Sequence, residues 1–148
     1  MKNTFTLIVF ISLLCCGNVL KSETPDFSKA AEGHLNSIVN RDFSSFAKTI
    51  HPDFQYCILP NGIKVAGYRE FLEMNKKWFK DNDWTFDYKV VNRFHKKEFG
   101  SILLHVRYSD VNREGEPIKK QFYLSLTFVP HQGQWKLLLD QNTDIPQN

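Results

Sequence analysis

Two hydrophobic rhythms divide the chain. From Asp26 to about Lys80 apolar residues return every third or fourth position, and from Trp84 onward they return every second. The first rhythm predicts helices. Phe27, Ala30, Ala31, His34, Leu35, Ile38 and Val39 share one side of a first helix, with Asp26 placed to accept backbone N–H bonds at its start. Asp42 stands in the same place before Phe43, Phe46, Ala47 and Ile50, a second short helix. That helix ends at His51-Pro52, because the residue before proline resists the helical region. Phe54 to Ile58 reads as a short strand, Pro60-Asn61-Gly62 as a turn and Ile63 to Val65 as its return. After Gly67 a third helix runs from about Tyr68 to Lys80, with Phe71, Leu72, Asn75, Trp78 and Phe79 along one side.

The second rhythm predicts strands. Trp84, Phe86, Tyr88, Val90, Asn92 and Phe94 alternate with Thr85, Asp87, Lys89, Val91, Arg93 and His95. Ile102, Leu104, Val106 and Tyr108 do the same, then Phe122, Leu124, Leu126 and Phe128, then Trp135 to Thr143. Turns at Lys97 to Gly100, Asn112 to Pro117 and His131 to Gly133 separate them. Four long strands in this order make an antiparallel meander with one apolar face, which the preceding helices must cover. The expected architecture is α+β. It is a cone in which N-terminal helices pack on a curved antiparallel sheet of four long strands plus a short hairpin. Strict alternation places His105, Arg107, Asp87, Tyr123 and Asp140 on the outer face, with Leu103, Leu138, Val91 and Val129. Apolar residues among polar ones on that face suggest a homodimer through the sheet rather than a solvated surface.

The first residues belong to neither rhythm. Met1-Lys2-Asn3 precedes an apolar run from Thr4 to Leu14, with no charge between Lys2 and Lys21. The run is too short to span a bilayer, and Gly17 and Asn18 interrupt it. Residues 1–22 are therefore read as a secretion signal and 23–148 as one domain, exported to a periplasmic or external space. Acylation at Cys15 or Cys16, which would tether the domain to a membrane, is the alternative. Cleavage leaves Cys57 alone, so no intramolecular disulfide is available and stability must come from burial. The 13 Phe, 5 Tyr and 3 Trp of the chain supply that core.

Charge narrows the partners. The 19 basic and 16 acidic residues of the whole chain lose Lys2 and Lys21 with the signal, which leaves them nearly balanced. Basic pairs such as Lys76-Lys77, Lys96-Lys97 and Lys119-Lys120 are scattered. Nothing is dense enough to argue for nucleic acid. The five histidines lack metal-ligand spacing, and no phosphate-binding glycine loop or nucleophile elbow is present, so no metal and no cofactor are expected. Cys57 reads as a small buried residue.

Three stretches carry a family resemblance. They are His51-Pro52-Asp53-Phe54, then Pro60-Asn61-Gly62 leading to Gly67-Tyr68-Arg69-Glu70-Phe71-Leu72, and Gly133-Gln134-Trp135-Lys136-Leu137 running into Asp140-Gln141-Asn142-Thr143. In this order the chain resembles the nuclear-transport-factor-2-like superfamily and its SnoaL-like branch. The resemblance implies a cone with a pocket between helices and sheet, and frequent dimers. Its members include isomerases, cyclases, dehydratases and binding modules, so it implies no single activity. Its ketosteroid-isomerase branch carries a carboxylate base at the end of the first strand. Alignment on Pro60 puts Leu59 there, and leucine takes no proton. The tyrosine donor of that branch aligns with His34. Asp53 and His51 read as braces of the helix-to-strand corner. The ligand-binding candidates are His34, Tyr56, Trp78, Trp84, Tyr88, Trp135 and Gln141. The leading expectation is a binder of a small apolar molecule. The rivals are an acid–base enzyme using His34, Asp53 or Gln141, and a protein-interaction module using the sheet face.

Overall fold

The computed structural model describes residues 26–146. The signal reading of residues 1–22, with Cys15 and Cys16, lies outside the described residues. Three helices, α1 (Phe27–Val39), α2 (Phe43–Lys48) and α3 (Tyr68–Trp78), lie before and between six strands. The strands are β1 (Tyr56–Ile58), β2 (Lys64–Ala66), β3 (Thr85–His95), β4 (Gly100–Val111), β5 (Pro117–His131) and β6 (Gln134–Asp144). They form one sheet in the order β2-β1-β6-β5-β4-β3. The four long strands make the expected meander. The hairpin β1–β2 joins its β6 edge, with β1 parallel to β6, so the sheet is mixed rather than wholly antiparallel.

The local signals act as the residue types predict. Asp26 Oδ1 accepts from the backbone of Ser28 at 2.9 Å and Lys29 at 3.3 Å, and Asp42 Oδ1 from Ser45 at 3.0 Å, which satisfies donors that a helix start leaves orphaned. Arg41 takes a left-handed φ of 53° in the tight link between α1 and α2. Its guanidinium lies 4.3 Å over the Trp84 ring and donates to the carbonyls of Asn82 and Trp84, fastening the loop that leaves α3 to the end of α1. The helices cover the apolar face of the sheet, where Phe27, Ala31, Leu35, Phe46 and Phe71 meet Ile102, Leu104, Leu126, Phe128 and Leu137.

Two β-bulges change which residues face inward. In β3 the pairing moves from Val90–Leu104 to Asn92–Leu103, leaving Val91 as the extra residue. Beyond it Arg93 and His95 turn to the helix side, while Asn92 and Phe94, expected inside, turn out. Arg93 pairs with Glu32 of α1 at 3.2 Å, and the His95 ring lies 5.3 Å from that of Phe27. In β6 the pairing moves from Leu137–Phe128 to Leu139–Thr127, leaving Leu138 as the extra residue. Asp140 and Asn142 then sit opposite the buried Leu126 and Leu124, so they face inward. Strict alternation gives the reverse, with Gln141 inside and Asp140 outside. A residue inserted in a strand moves every later side chain to the other face.

Candidate functional site

A cavity of about 350 Å³ opens between the helices and one end of the long strands, and its lining runs from β1 across the sheet to β3. Each wall follows from an element already described. Ile38 of α1 and Phe46 of α2 close its depth, and Phe71, Met74, Asn75 and Trp78 of α3 form one side. Phe86, Tyr108, Phe122 and Leu124 rise from the meander. Cys57, Leu59, Pro60 and Asn61 come from β1 and its turn, and Asp140 and Asn142 from β6 beyond the bulge. Lys120 stands exposed at the rim. The wall is mostly apolar, with polar groups at Asn61, Asn75, Tyr108, Lys120, Asp140 and Asn142, the usual form of a small-molecule site.

Asp140 is the chemical centre of that wall. It lies directly across the ladder from Cys57. It lines the cavity and is partly buried. Asn142 Nδ2 donates to Asp140 Oδ1 at 2.9 Å and to the Ile58 carbonyl at 2.7 Å, which ties β6 to β1. Burial disfavours the carboxylate and pushes the Asp140 pKa up to about 7, although hydrogen bonds with Cys57 and Asn142 oppose that rise. The Cys57 thiol is pushed far up by burial and then by the adjacent carboxyl, so it remains protonated. It is a packing residue, not a nucleophile.

A second polar group edges the cavity. Trp78 Nε1 donates to Tyr108 Oη at 3.2 Å, and Tyr108 Oη donates to Asp110 Oδ2 at 2.6 Å. Burial and the neighbouring Asp110 raise the phenol pKa. Asn75 is buried in α3 and gives one amide N–H to the Phe71 carbonyl at 2.9 Å. Among the described residues no group of three or more His, Cys, Asp or Glu side chains is placed to hold a metal ion.

Of the seven ligand-binding candidates, Trp78 alone lines this cavity. Trp84 is buried behind it, stacked at 4.3 Å, with its Nε1 donating to the Trp78 carbonyl at 2.9 Å. His34 is fully buried under α1, its Nδ1 2.7 Å from Thr49 Oγ1 and its ring against Phe46 and Phe128. Trp135 packs on Phe27 below the first turn of α1 and away from the cavity. Tyr88 sits beside Phe86, one step outside the lining. Tyr56 alternates with Cys57 and so faces away, under the Lys64 ammonium. Gln141 is exposed on the outer face.

The enzyme set His34, Asp53 and Gln141 does not converge. Asp53 stays at the helix-to-strand corner, where its N–H donates to His51 Nδ1 at 3.0 Å. His51 thus makes the backbone hydrogen bond expected of it at that corner. Leu59 does line the cavity, so the position aligned with the isomerase base faces the pocket without a proton carrier. The residues that alternation missed are Asp140 and Asn142. A bulge is the one signal that could have found them, and the run Lys136-Leu137-Leu138-Leu139 gives no mark of where the extra residue falls.

Neither a protein-family model nor a curated protein matches the chain. Solved structures do. A ketosteroid isomerase-like protein from Erwinia carotovora atroseptica is similar at a TM-score of 0.67 and 14% identity, covering 81% of this chain and 94% of its own. A candidate dehydratase of the nuclear-transport-factor-2-like family from Streptomyces avermitilis gives 0.66 at 10% identity, over 81% and 94%. The association domain of calcium/calmodulin-dependent protein kinase II from C. elegans gives 0.57 at 16%, over 78% and 91%. Helices closing one face of a six-stranded sheet, and these matches over about four-fifths of the chain, show that the protein has the nuclear-transport-factor-2-like fold its sequence resembles.

Proposed function

We propose that the protein is an exported binding domain that holds a small, mostly apolar molecule in the cone cavity and pairs with a second copy through the outer sheet face. The observation that carries the pocket reading is the cavity itself. It remains open although the chain has aromatic side chains enough to fill it, and Asp140 and Asn142 stand hydrogen-bonded to one another among its polar groups. Apolar walls supply affinity and a small polar cluster supplies orientation. The pairing is supported by half-buried Leu103, Val129 and Leu139 among the polar residues of the outer face, and by the association-domain relatives of the fold.

An acid–base enzyme is the second reading, and Asp140 is what favours it. A carboxyl whose pKa lies near neutrality can both give and take a proton at working pH. One experiment separates the two. Thermal denaturation with a panel of uncharged lipophilic compounds should raise the melting temperature of the wild-type protein. Leu124→Trp, which fills the cavity, should abolish the shift while circular dichroism stays unchanged. Compounds recovered intact by mass spectrometry support the binder, and turnover lost in Asp140→Asn supports the enzyme. Shifts that survive in Leu124→Trp would sink both.

A further inference from the structure

Among the described residues two phenylalanines are exposed, and they stand side by side at one end of the sheet. Phe94 is 47% and Phe99 42% exposed, with ring centroids 5.8 Å apart. Phe94 closes β3 one residue before its end and Phe99 directly precedes β4, so the pair marks the tip of the β3–β4 hairpin. The bulge at Val91 is what turns Phe94 outward. The link is closed by the Lys96 N–H, which donates to the Phe99 carbonyl at 2.8 Å. Lys96 and Lys97 are both exposed in it, and the Lys96 ammonium lies 5.9 Å from the centre of the Phe94 ring. Of the acids nearby, Glu98 shares the link and Glu32 is already paired with Arg93.

An exposed aromatic pair with cations beside it has the chemistry of a lipid-contacting surface. The rings enter the boundary between headgroups and acyl chains, and the ammonium groups reach the headgroup phosphates. A two-fold contact between copies centred on this tip would set Lys96 and Lys97 against their equivalents, whereas an anionic surface neutralises them. The course of the chain points the same way. Residues 1–25 join the described chain at Asp26, and the next residue, Phe27, packs on His95 and on Gly100 at the base of the same hairpin. The chain therefore enters the domain at the tip's end, the end that acylation at Cys15 or Cys16 would hold near a membrane. We propose that the β3–β4 tip docks on a membrane surface carrying anionic headgroups, with Phe94 and Phe99 entering the interface. This does not depend on the cavity reading, but it gives the cavity an orientation. Lys120, at the cavity rim, pairs with Tyr108, eight residues along β4 from Gly100, which is about 26 Å of strand. The docked domain holds that rim away from the lipid and open to the surrounding solution.

The test places a reporter at the tip of the full chain. Trp84 and Trp135 are buried and Trp78 is half-buried, so Phe99→Trp adds an exposed indole. Vesicles of phosphatidylglycerol and phosphatidylcholine with brominated acyl chains should quench it and shift its emission to the blue. Ile63 is 56% exposed beyond β1, at the opposite end of the sheet. Ile63→Trp should stay unquenched, which separates docking by the tip from insertion of the apolar residues 4–14. In the Phe99→Trp chain, adding Lys96→Gln and Lys97→Gln should lower the equilibrium constant for docking, read from quenching at fixed lipid, about 25-fold on the anionic vesicles. On phosphatidylcholine alone the same pair should change little. Absence of quenching in Phe99→Trp, equal quenching in Ile63→Trp, or a lysine variant quenched as fully as its parent would each overturn the proposal and leave the cavity reading standing. No quenching, together with a dimer that Phe94→Ser and Phe99→Ser convert to a single chain in light scattering, would assign the patch to a second copy instead.

Discussion

Two buried titratable side chains pull the pH dependence of stability in opposite directions. His34 is neutral in the folded protein, its pKa lowered by burial to about 3. Thr49 Oγ1 donates to the Phe46 carbonyl, so it accepts from His34 Nδ1–H, and among the described residues the lone pair of Nε2 has no partner. Below about pH 6.5 the unfolded chain gains a proton at His34 that the folded one refuses, so this residue stabilises the fold above 6.5 and the contribution is lost as pH falls. Asp140 does the reverse. Its folded pKa is raised to about 7, so between about pH 4 and 7 the folded state keeps a proton that the unfolded chain has released. Stability from Asp140 is complete below the unfolded value and declines as pH rises through 7. Asp140→Asn should thus be more stable than wild type at pH 8 by about 2–4 kcal/mol, and the gain should vanish by pH 4.5. Urea denaturation at the two pH values checks it; a gain of the same size at both would show that the carboxylate is not the cause.

At the scale of elements, the docking of α1 depends on a missing side chain. Gly100 opens β4, and a Cβ built there would lie 2.4 Å from the Phe27 ring. The ring of Phe27, wedged also against Phe128 and Trp135, has little room to yield. Gly100→Ala should therefore cost about 1–3 kcal/mol by forcing the ring aside. In a Phe27→Leu background the added cost should be much smaller, a coupling that a double-mutant cycle by chemical denaturation would measure. If both backgrounds lose the same amount, the clash is not the reason. The helices and four long strands were legible in the sequence because caps, turns and periodicity are local. Asp26, Asp42 and the proline after His51 need no tertiary partner to act. The inner face was legible only as far as Val90 in β3 and Leu137 in β6, because a bulge is settled by the partner strand. That is why Gln141 was expected in the pocket and Asp140 outside it. His34 and Trp135 were misplaced for another reason: periodicity identifies the buried side of an element, but not which part of that side meets a cavity and which meets another ring.

The whole molecule has one side of its sheet closed by helices and the other open. Leu103, Val129 and Leu139 interrupt the polar outer face, where Tyr123 is 43% exposed and packs beside His105. On the proposed pairing, light scattering should give twice the chain mass. Tyr123→Glu, which adds a charge to the centre of that face, should give the single chain with an unchanged circular dichroism spectrum. A wild-type monomer at high concentration would instead favour the face as a site for a different protein. The parallel pairing of β1 with β6 has a consequence in time. The bond from Asn142 to Ile58 closes a chain loop of 84 positions, and β6 follows the other five strands in the chain. Until it arrives, the hairpin has no sheet to join and the cavity has no floor. A nascent chain can bury α1 against β3 and β5 before then, but the cavity lacks its β6 wall. The cavity is therefore closed later than the α1 side of the core.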